Sequence, residues 1–413
     1  MNRNLYLVIL IFLIFFVCSF LTNILGPIIP DIINSFHLSL TLTAFLPFSF
    51  FIAYGLMSIP SGMLVEKYHE KTVMLTAYVL AFTGSLIFAL FPDYQMALIS
   101  LFLIGTGMAM LQVAINPLLR VAGGEENFAF NSVLAQLIFG SASFISPQVY
   151  TGMVHHLKSA HAGLNSPLAN FAKLVPQNME WVSMYWIFSV VAILMFIIVL
   201  LSRLPRVEIP DEERIGIWKT HLELFKNRIV LLYFLGIFCY VGSEQGISNW
   251  ISKFLLDFHG LDPQSIGART VAYFWGAMTV GCILGMLLLK LFDSRKIVIV
   301  FSSLSMLSLG FALFGSSAVA VYAFPIMGFF YSVLWSIIFS LALNSLEKHH
   351  GSFSGILCTG IIGGAVVPLI IGWIGDLLNL KIGLLFLFLT LGYILSIGFW
   401  AKPLIANRTI YKS

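Results

Sequence analysis

The stretch RLPRVEIPDEERIGIWKTHLELFKNR, Arg203–Arg228, is the most charged part of this 413-residue chain and lies almost at its midpoint. Apolar runs of about 20 residues follow one another on both sides of it, and each is long enough to cross a hydrocarbon core of about 30 Å as a helix. Because lipid offers the backbone no hydrogen-bond partners, such runs must be helical. The pattern predicts an all-α membrane protein in which a charged linker joins two half-molecules.

Composition separates this chain from soluble proteins. Hydrophobic residues make up 59% of it and charged residues 10%, whereas a soluble domain carries roughly 25% charged residues. Breaks in the apolar pattern predict twelve transmembrane helices, six on each side of the linker, at about residues 5–34, 41–65, 72–91, 96–119, 128–154, 181–202, 229–256, 267–289, 297–316, 319–345, 352–378 and 383–401.

The predicted domains are a six-helix bundle at 1–202, a cytoplasmic linker with a short amphipathic helix at 203–228, and a second six-helix bundle at 229–413. Cytoplasmic loops of membrane proteins carry an excess of Lys and Arg. With the N-terminus inside, 17 of the 22 Lys and Arg residues fall on the inner side. We therefore predict a multi-pass protein of a bacterial inner membrane with both termini in the cytoplasm.

The chain lacks the residues that several classes of protein need for their function. The four cysteines lie inside apolar runs without CxxC spacing, which argues against a disulfide scaffold or a zinc site. The net charge of +4 comes from cytoplasmic loops, so no nucleic-acid partner is expected. A membrane-embedded enzyme or sensor would need a nucleophile–base pair or an added soluble domain, and the sequence offers neither. We expect no enzyme activity, no metal and no cofactor apart from a possible coupling ion.

Two six-helix halves joined by a charged cytoplasmic linker resemble the plan of the major facilitator superfamily. Specific stretches in both halves resemble the fucose-permease family of sugar:cation symporters within it. They are FLTNILGPIIPDI (Phe20–Ile32), LQVAINPLLRVAG (Leu111–Gly123), NSVLAQ (Asn131–Gln136), FCYVGSEQGISNWISKF (Phe238–Phe254), IFSLALNSL (Ile338–Leu346) and IIGGAVVPLIIGWIGD (Ile361–Asp376). The resemblance implies two pseudo-symmetric bundles with a substrate site near the membrane midplane, between the halves.

The chain departs from that family at four positions. Gly26 stands where the sugar permeases usually have an Asp, and Gln112 stands where fucose-specific members have a Glu and glucose/galactose-type members a Gln. Phe139 and Cys282 replace an Asn and an Arg. The resemblance therefore implies the glucose/galactose-type branch rather than a fucose-specific symporter.

Glu244 is the one acidic residue well inside an apolar run. A carboxylate at the bilayer centre costs about 2.5–3.5 kcal/mol on insertion scales, so it needs a cavity or a partner. We predict that Glu244 binds substrate hydroxyls or a coupling cation, with an unwound segment at Gly242–Gly246 aiming it at the cavity. A structural, hydrogen-bonded Glu is the other interpretation.

Other polar and aromatic residues inside the apolar runs are candidates for sugar contacts. Amide groups pair with hydroxyls in a dry site, although they also bridge helices in membranes, and Trp faces stack on sugar rings, although Trp also anchors helices at the membrane interface. Besides Glu244, the predicted substrate-binding residues are Asn23, Gln112, Asn116, Asn131, Gln136, Tyr240, Gln245, Asn249, Trp250, Trp275, Trp335 and Asn344.

The sequence thus predicts a monomeric secondary transporter of a small polar solute, most simply a monosaccharide, that works by alternating access in the lipid bilayer. Coupling would run through Glu244, and the choice between Na⁺ and H⁺ stays open. The alternative is efflux of an apolar or amphipathic compound, because the chain contains 38 Phe residues and a depleted polar pocket.

Overall fold

The computed structural model describes residues 5–123, 128–162, 169–204, 223–346 and 350–404, and within them the regular structure is helical throughout. The helices are Leu5–Thr22, Leu25–Phe36, Leu40–Leu90, Tyr94–Gly123, Phe128–His161, Ala169–Ala172, Glu180–Val182, Ser183–Leu201, Arg228–Ser248, Ile251–His259, Pro263–Gly267, Ala268–Leu291, Ser294–Phe314, Ser317–Tyr331, Leu334–Leu343, His350–Thr359, Gly360–Ile362, Gly363–Leu377 and Leu380–Trp400.

These helices form membrane-length segments, which we number in chain order as spans 1 to 12. Among the described residues, eleven segments are long and apolar enough to cross a membrane. They are Leu5–Phe36, Leu40–Val65, Lys67–Leu90, Tyr94–Ile115, Glu180–Leu201, Arg228–Ser248, Pro263–Leu289, Ser294–Phe314, Ser317–Leu343, Phe353–Leu377 and Leu380–Trp400.

Span 5 lies within the remaining long helix, Phe128–His161, whose 34 residues exceed the roughly 20 that cross a membrane, so that its end at His161 extends beyond the span. It is less uniformly apolar because polar residues such as Gln136, Ser143 and Ser146 recur along it, and the latter two bond to other residues inside the bundle. The all-α architecture predicted from the sequence is confirmed, with spans 2 and 3 joined by a tight turn at His69.

Four spans are interrupted. Span 1 breaks at Asn23–Ile24, span 10 at Ser332–Val333 and span 11 at 360–362, and a break at Asn249–Trp250 separates the main helix of span 7 from its continuation, Ile251–His259. Irregular backbone at membrane depth is tolerated only where protein or a water-filled cavity surrounds it. The breaks therefore mark the part of the bundle where a polar site can form.

The buried hydrophobic residues form two large clusters. The members of one lie between Leu7 and Val199, apart from Ala268 and Ala365. Those of the other lie between Val230 and Ala401, apart from Ile29 and Ala44. Two half-molecules would produce this arrangement, and the domain limits stay a prediction. The proposed amphipathic helix of the linker lies largely outside the described residues.

The two halves are in close contact at the end of the bundle where spans 1 and 2 connect, which we call the closed end. The Thr151 hydroxyl donates to the Gln264 carbonyl at 2.8 Å, and Lys158 donates to the Gln264 side chain at 2.7 Å. Gln264 in turn donates to Asp31 at 2.9 Å. Residues from spans 1, 5 and 8 thereby close this end.

Candidate substrate cavity

A cavity lies between the two halves, at the depth of the breaks in spans 1 and 10. The empty space inside it, together with its open mouth, is about 1160 Å³. Of the predicted site residues, the structure brings together Asn23, Gln112, Gln136, Tyr240, Glu244, Gln245, Trp275 and Trp335 on its wall. Spans 1, 4 and 5 of one half thus face spans 7, 8 and 10 of the other.

Glu244 is the carboxylate of this wall. It lies one helical turn after Tyr240, whose hydroxyl donates to Glu244 Oε1 at 3.3 Å. The residues that line the cavity include no Lys, Arg, His or second carboxylate. No side chain on the described wall therefore carries a charge that could neutralise an ionised Glu244, so its charge must be balanced by a cation or a proton from solution.

Two of the lining amides are held in different ways. The Asn23 side chain donates to Ser143 Oγ at 2.8 Å and to Ser19 Oγ at 3.4 Å, which fixes it inside the break of span 1 and leaves its carbonyl oxygen for a ligand. Gln136 is exposed although it lies on the cavity wall. Solvent therefore reaches the cavity past Gln136, from the end opposite the closed end.

Aromatic residues form the other side of the wall. The Tyr240 ring lies 5.8 Å from the Tyr331 ring and 5.9 Å from the Trp335 ring, measured between centroids. Trp275 packs edge-on against Phe274 at 5.4 Å. Because Trp335 is only partly buried, part of its face is free to stack against a ring-shaped ligand.

Four predicted site residues lie away from the cavity wall. Trp250 is fully buried and Asn249 nearly so, because span 7 breaks there and turns them into the closed end beside Gly26. Asn131 is buried near the start of span 5. Asn344 lies at the end of span 10, where its backbone carbonyl accepts from the Leu404 amide at 2.7 Å. The side chain of Asn116 lies outside the described side chains.

The predicted unwinding at Gly242–Gly246 is wrong. The helix Arg228–Ser248 is continuous through both glycines, and the break follows at Asn249. A side chain at Gly242 would collide with Val367, and one at Gly246 would press on Ile371 and Leu387. These glycines therefore serve close packing of span 7 against spans 11 and 12.

Further residues on the wall escaped sequence reasoning. Most are apolar or carry a single hydroxyl or thiol, and such residues in a transmembrane helix look the same whether they face lipid, a neighbouring helix or a cavity. Spacing from a predicted residue was one available signal, because Thr279 lies one turn and Cys282 two turns after Trp275. The family resemblance had also drawn attention to Phe139 and Cys282. The main members of this group are Phe15, Cys18, Thr22, Phe51, Tyr54, Met108, Phe139, Thr279, Cys282, Ser332 and Ser336.

In the part of the chain that the structure describes, twelve long helices around a central cavity, with broken helices on its wall, define a membrane transporter of the major facilitator class. A family model described as "Major Facilitator Superfamily" matches residues 11–365. The chain belongs to this superfamily, as the sequence resemblance predicted.

Known proteins similar to this chain include a glucose/galactose transporter of Brucella abortus, 29% identical over 391 residues, which cover 94% of this chain and 92% of the relative. An L-fucose-proton symporter of Escherichia coli is 23% identical over 378 residues, covering 88% of this chain and 85% of the relative. The glucose/galactose transporter is thus the more similar of these two.

Solved structures share the fold. A crystal structure of the transporter FucP in the outward conformation has a TM-score of 0.69 at 21% identity, covering 97% of this chain and all of the other. An inward-facing bacterial homologue of the human lysosomal transporter Spinster has a TM-score of 0.78 at 15% identity, covering 96% of each chain. The predicted major facilitator fold is confirmed.

Proposed function

We propose that this protein is a proton-coupled transporter of a monosaccharide, with D-glucose and D-galactose as the first candidates. The observation that carries the proposal is the cavity wall, which joins one carboxylate, several amides and a partly exposed Trp between the two halves. Sugar hydroxyls need paired donors and acceptors, and the C–H faces of a sugar ring suit aromatic side chains. The similarity to a glucose/galactose transporter supports the same substrate class.

Within the cavity, each half contributes different chemistry. Asn23, Gln112 and Gln136 place amides on one side, and Tyr240, Glu244 and Trp335 face them from the other. A ligand held between these groups contacts both halves, so rocking of one half against the other carries it across the membrane. An apolar compound would leave these polar groups without partners, at a cost of about 1–3 kcal/mol for each buried group.

A proton suits Glu244 better than Na⁺. Metal cations such as Na⁺ need several oxygen ligands around one point, whereas Glu244 has the Tyr240 hydroxyl as its described hydrogen-bond partner. A single carboxylate on the wall of a cavity that solvent reaches can take up and release a proton without several ligands around it.

The cavity opens to the cytoplasm in this structure if both termini are cytoplasmic, as the distribution of Lys and Arg indicates. The closed end, with Gln264, Asp31 and Lys158, is then the outer end. We therefore propose that the structure is the inward-facing state of the transport cycle. The partly exposed Glu244 is then in proton exchange with the cytoplasm.

The test is uptake of radiolabelled D-glucose and D-galactose into proteoliposomes, with and without an inward proton gradient, for the wild type and Glu244→Gln. We expect gradient-driven accumulation by the wild type. Glu244→Gln should equilibrate sugar by counterflow at a rate within about threefold of the wild type but should not accumulate it. Asp257→Asn is the matched control, because Asp257 is an acidic residue of the same half that pairs with Lys253 within one helix.

Three results would each contradict part of the proposal. Accumulation by Glu244→Gln at the wild-type level would remove Glu244 as the proton carrier. Failure of the folded wild type to transport either sugar in both assays would remove the substrate assignment. Accumulation driven by a Na⁺ gradient, with no response to a proton gradient, would leave the sugar assignment standing and replace the coupling ion.

A further inference from the structure

The break in span 10 is held by donors from two other spans. The helix Ser317–Tyr331 ends there, and the last carbonyls of a helix have no partner within it. The Tyr240 hydroxyl donates to the Tyr331 carbonyl at 3.3 Å, and the Cys282 thiol donates to the Ser332 carbonyl at 3.2 Å. Side chains of spans 7 and 8 thus stabilise the interrupted backbone.

Span 10 also packs closely on span 8 at this point. A side chain at Gly281 would overlap Ser332 and approach the Phe329 carbonyl oxygen within 2.7 Å, and one at Gly285 would overlap Val333. The two glycines let the broken backbone rest directly on span 8.

Tyr240 has two acceptors and a single hydroxyl proton. Its oxygen lies 3.3 Å from Glu244 Oε1 and 3.3 Å from the Tyr331 carbonyl oxygen. Its ring packs against Tyr331 before the break and against Trp335 after it. Tyr240 is therefore in contact with the predicted proton carrier and with both parts of span 10.

We propose that Tyr240 is a positioning residue that transmits the protonation state of Glu244 to the break in span 10. When Glu244 is ionised, the Tyr240 hydroxyl donates to the carboxylate and the Tyr331 carbonyl loses its donor. When Glu244 gains a proton, the carboxylic acid donates to the Tyr240 oxygen, and the Tyr240 proton turns to the Tyr331 carbonyl. One proton added to Glu244 thereby adds one hydrogen bond at the break.

The groups around Glu244 allow this single titration to dominate. Tyr240 lies on the same span, Tyr331 on span 10 and Cys282 on span 8, while Cys18 and Tyr54 face the cavity from the other half. Phenol and thiol groups lose protons only at more alkaline pH than carboxyl groups. With no charged side chain other than Glu244 among the cavity-lining residues, the carboxyl group is the first of these groups to lose its proton as the pH is raised.

The inference rests on the proposed role of Glu244 as proton carrier, and its direct test needs no substrate. Infrared difference spectra between acidic and alkaline pH are recorded for the full chain in nanodiscs, with ring-¹³C-labelled tyrosine. We expect a shift of one tyrosine C–O band in the wild type, because that band reports the hydrogen bond of the hydroxyl. The shift should vanish in Tyr240→Phe and in Glu244→Gln.

Tyr393→Phe is the matched control. Tyr393 lies in the same half and donates to the Leu232 carbonyl at 2.8 Å, with no carboxylate beside it. Its loss should leave the pH-dependent band in place. A band that persists in Tyr240→Phe or in Glu244→Gln would overturn the proposal, as would the absence of any pH-dependent tyrosine band in the wild type.

A transport assay separates this inference from the proposed function. In proteoliposomes, the ratio of proton-driven D-galactose accumulation to D-galactose counterflow should be at least about tenfold lower for Tyr240→Phe than for the wild type. If the wild-type protein transports neither sugar into proteoliposomes, the substrate assignment is refuted. The infrared shift would still decide the role of Tyr240. Normal proton-driven accumulation by Tyr240→Phe would overturn the inference and leave the sugar assignment intact.

Discussion

Asp376 accepts hydrogen bonds from the backbone amides of Leu40 and Thr41, at 2.8 and 2.7 Å. The acceptor lies at the end of span 11 and the donors open span 2, so this contact joins the two halves. The Ser39 side chain accepts from the next amide, that of Leu42, at 3.2 Å. The positive end of the span 2 helix thereby meets a negative charge from the other half.

Asp376→Ala should weaken the closed end. The loss of a side chain that caps a helix costs about 0.5–2 kcal/mol of stability. Because the Asp376 carboxylate is exposed, we expect a cost near the lower limit of this range. We expect the equilibrium constant for closing this end to fall by about twofold to fivefold. The measurement is a distance distribution between spin labels on Asn170→Cys and Ser317→Cys, two exposed positions at that end of different halves.

These labels require a background without the four native cysteines. Asp257→Asn serves as the control, because its carboxylate pairs with Lys253 inside one helix and spans no interface. An Asp376→Ala distribution that matches the wild type would show that this contact does not hold the closed end. Asp376→Asn should fall between the two, since an amide oxygen still accepts a bond without the charge.

Gly26→Ala should drive the closed end open. The added methyl group would overlap the Ser248 carbonyl oxygen and approach the Asn249 Cα within 3.4 Å. Because Gly26 and Ser248 belong to different halves, separation of the halves relieves the overlap without unfolding either one. The expected result is a longer distance between the same spin labels and at least about tenfold slower counterflow.

Two other glycine-to-alanine variants serve as controls for Gly26→Ala. Gly152 has open space where a side chain would be, so Gly152→Ala should leave both readouts unchanged. A side chain at Gly105 would overlap the Phe50 carbonyl oxygen within one half, so Gly105→Ala should lower thermal stability instead. If Gly26→Ala has the spin-label distances and counterflow rate of the wild type, the overlap with Ser248 is relieved by small local shifts, and the prediction is wrong.

Gln112→Ala should weaken substrate binding without affecting coupling. Gln112 lies on the cavity wall, and a hydrogen bond to a ligand contributes about 0.5–1.5 kcal/mol. We expect the KM for D-glucose counterflow to rise by about threefold to tenfold while the proton-driven accumulation ratio at saturating sugar stays unchanged. Gln148→Ala is the control, because that exposed amide bonds to its own helix at Phe144 and lies off the cavity wall.

The pair His161–Glu180 should make stability depend on pH. The hydrogen bond with Glu180, at 3.0 Å, raises the pKa of His161 above its ordinary value, and the bond to the Ala172 carbonyl adds to the effect. A raised folded-state pKa stabilises the protein fully below the unfolded-state pKa of about 6.5. This stabilisation is lost as pH rises through the folded-state pKa.

Thermal unfolding of wild-type protein and His161→Gln checks this prediction. We expect the wild type to melt about 1–3 °C higher at mildly acidic pH, since a single ion pair contributes up to about 1 kcal/mol. That gap should close at alkaline pH. The double variant His161→Gln/Glu180→Gln should melt no lower than the less stable single variant, because both changes remove the same interaction. A gap that is independent of pH would mean that His161 acts through packing alone.

Much of the architecture was predictable because membrane helices have a strong local signal. Apolar runs and the charged stretch around Arg203–Arg228 located the spans, and the eleven described segments that meet the length and hydropathy requirements lie at the predicted places. Glu244 stood out because a carboxylate is costly in lipid. Amides and Trp were harder to judge: Gln112 and Trp335 line the cavity, while Trp250, with the same kind of neighbours, is buried in protein.

The sequence by itself determined the class of the protein, since hydropathy and the cost of buried charge act on each residue through its local neighbourhood. The tertiary structure alone decided which helix faces meet. It placed the break of span 7 at Asn249 rather than at Gly242–Gly246 and brought Tyr240 between Glu244 and the Tyr331 carbonyl. The sequence around a hydroxyl, a carboxylate or a carbonyl at a helix end does not indicate its hydrogen-bond partner. Contacts between distant spans follow from packing of the whole bundle and not from any local pattern.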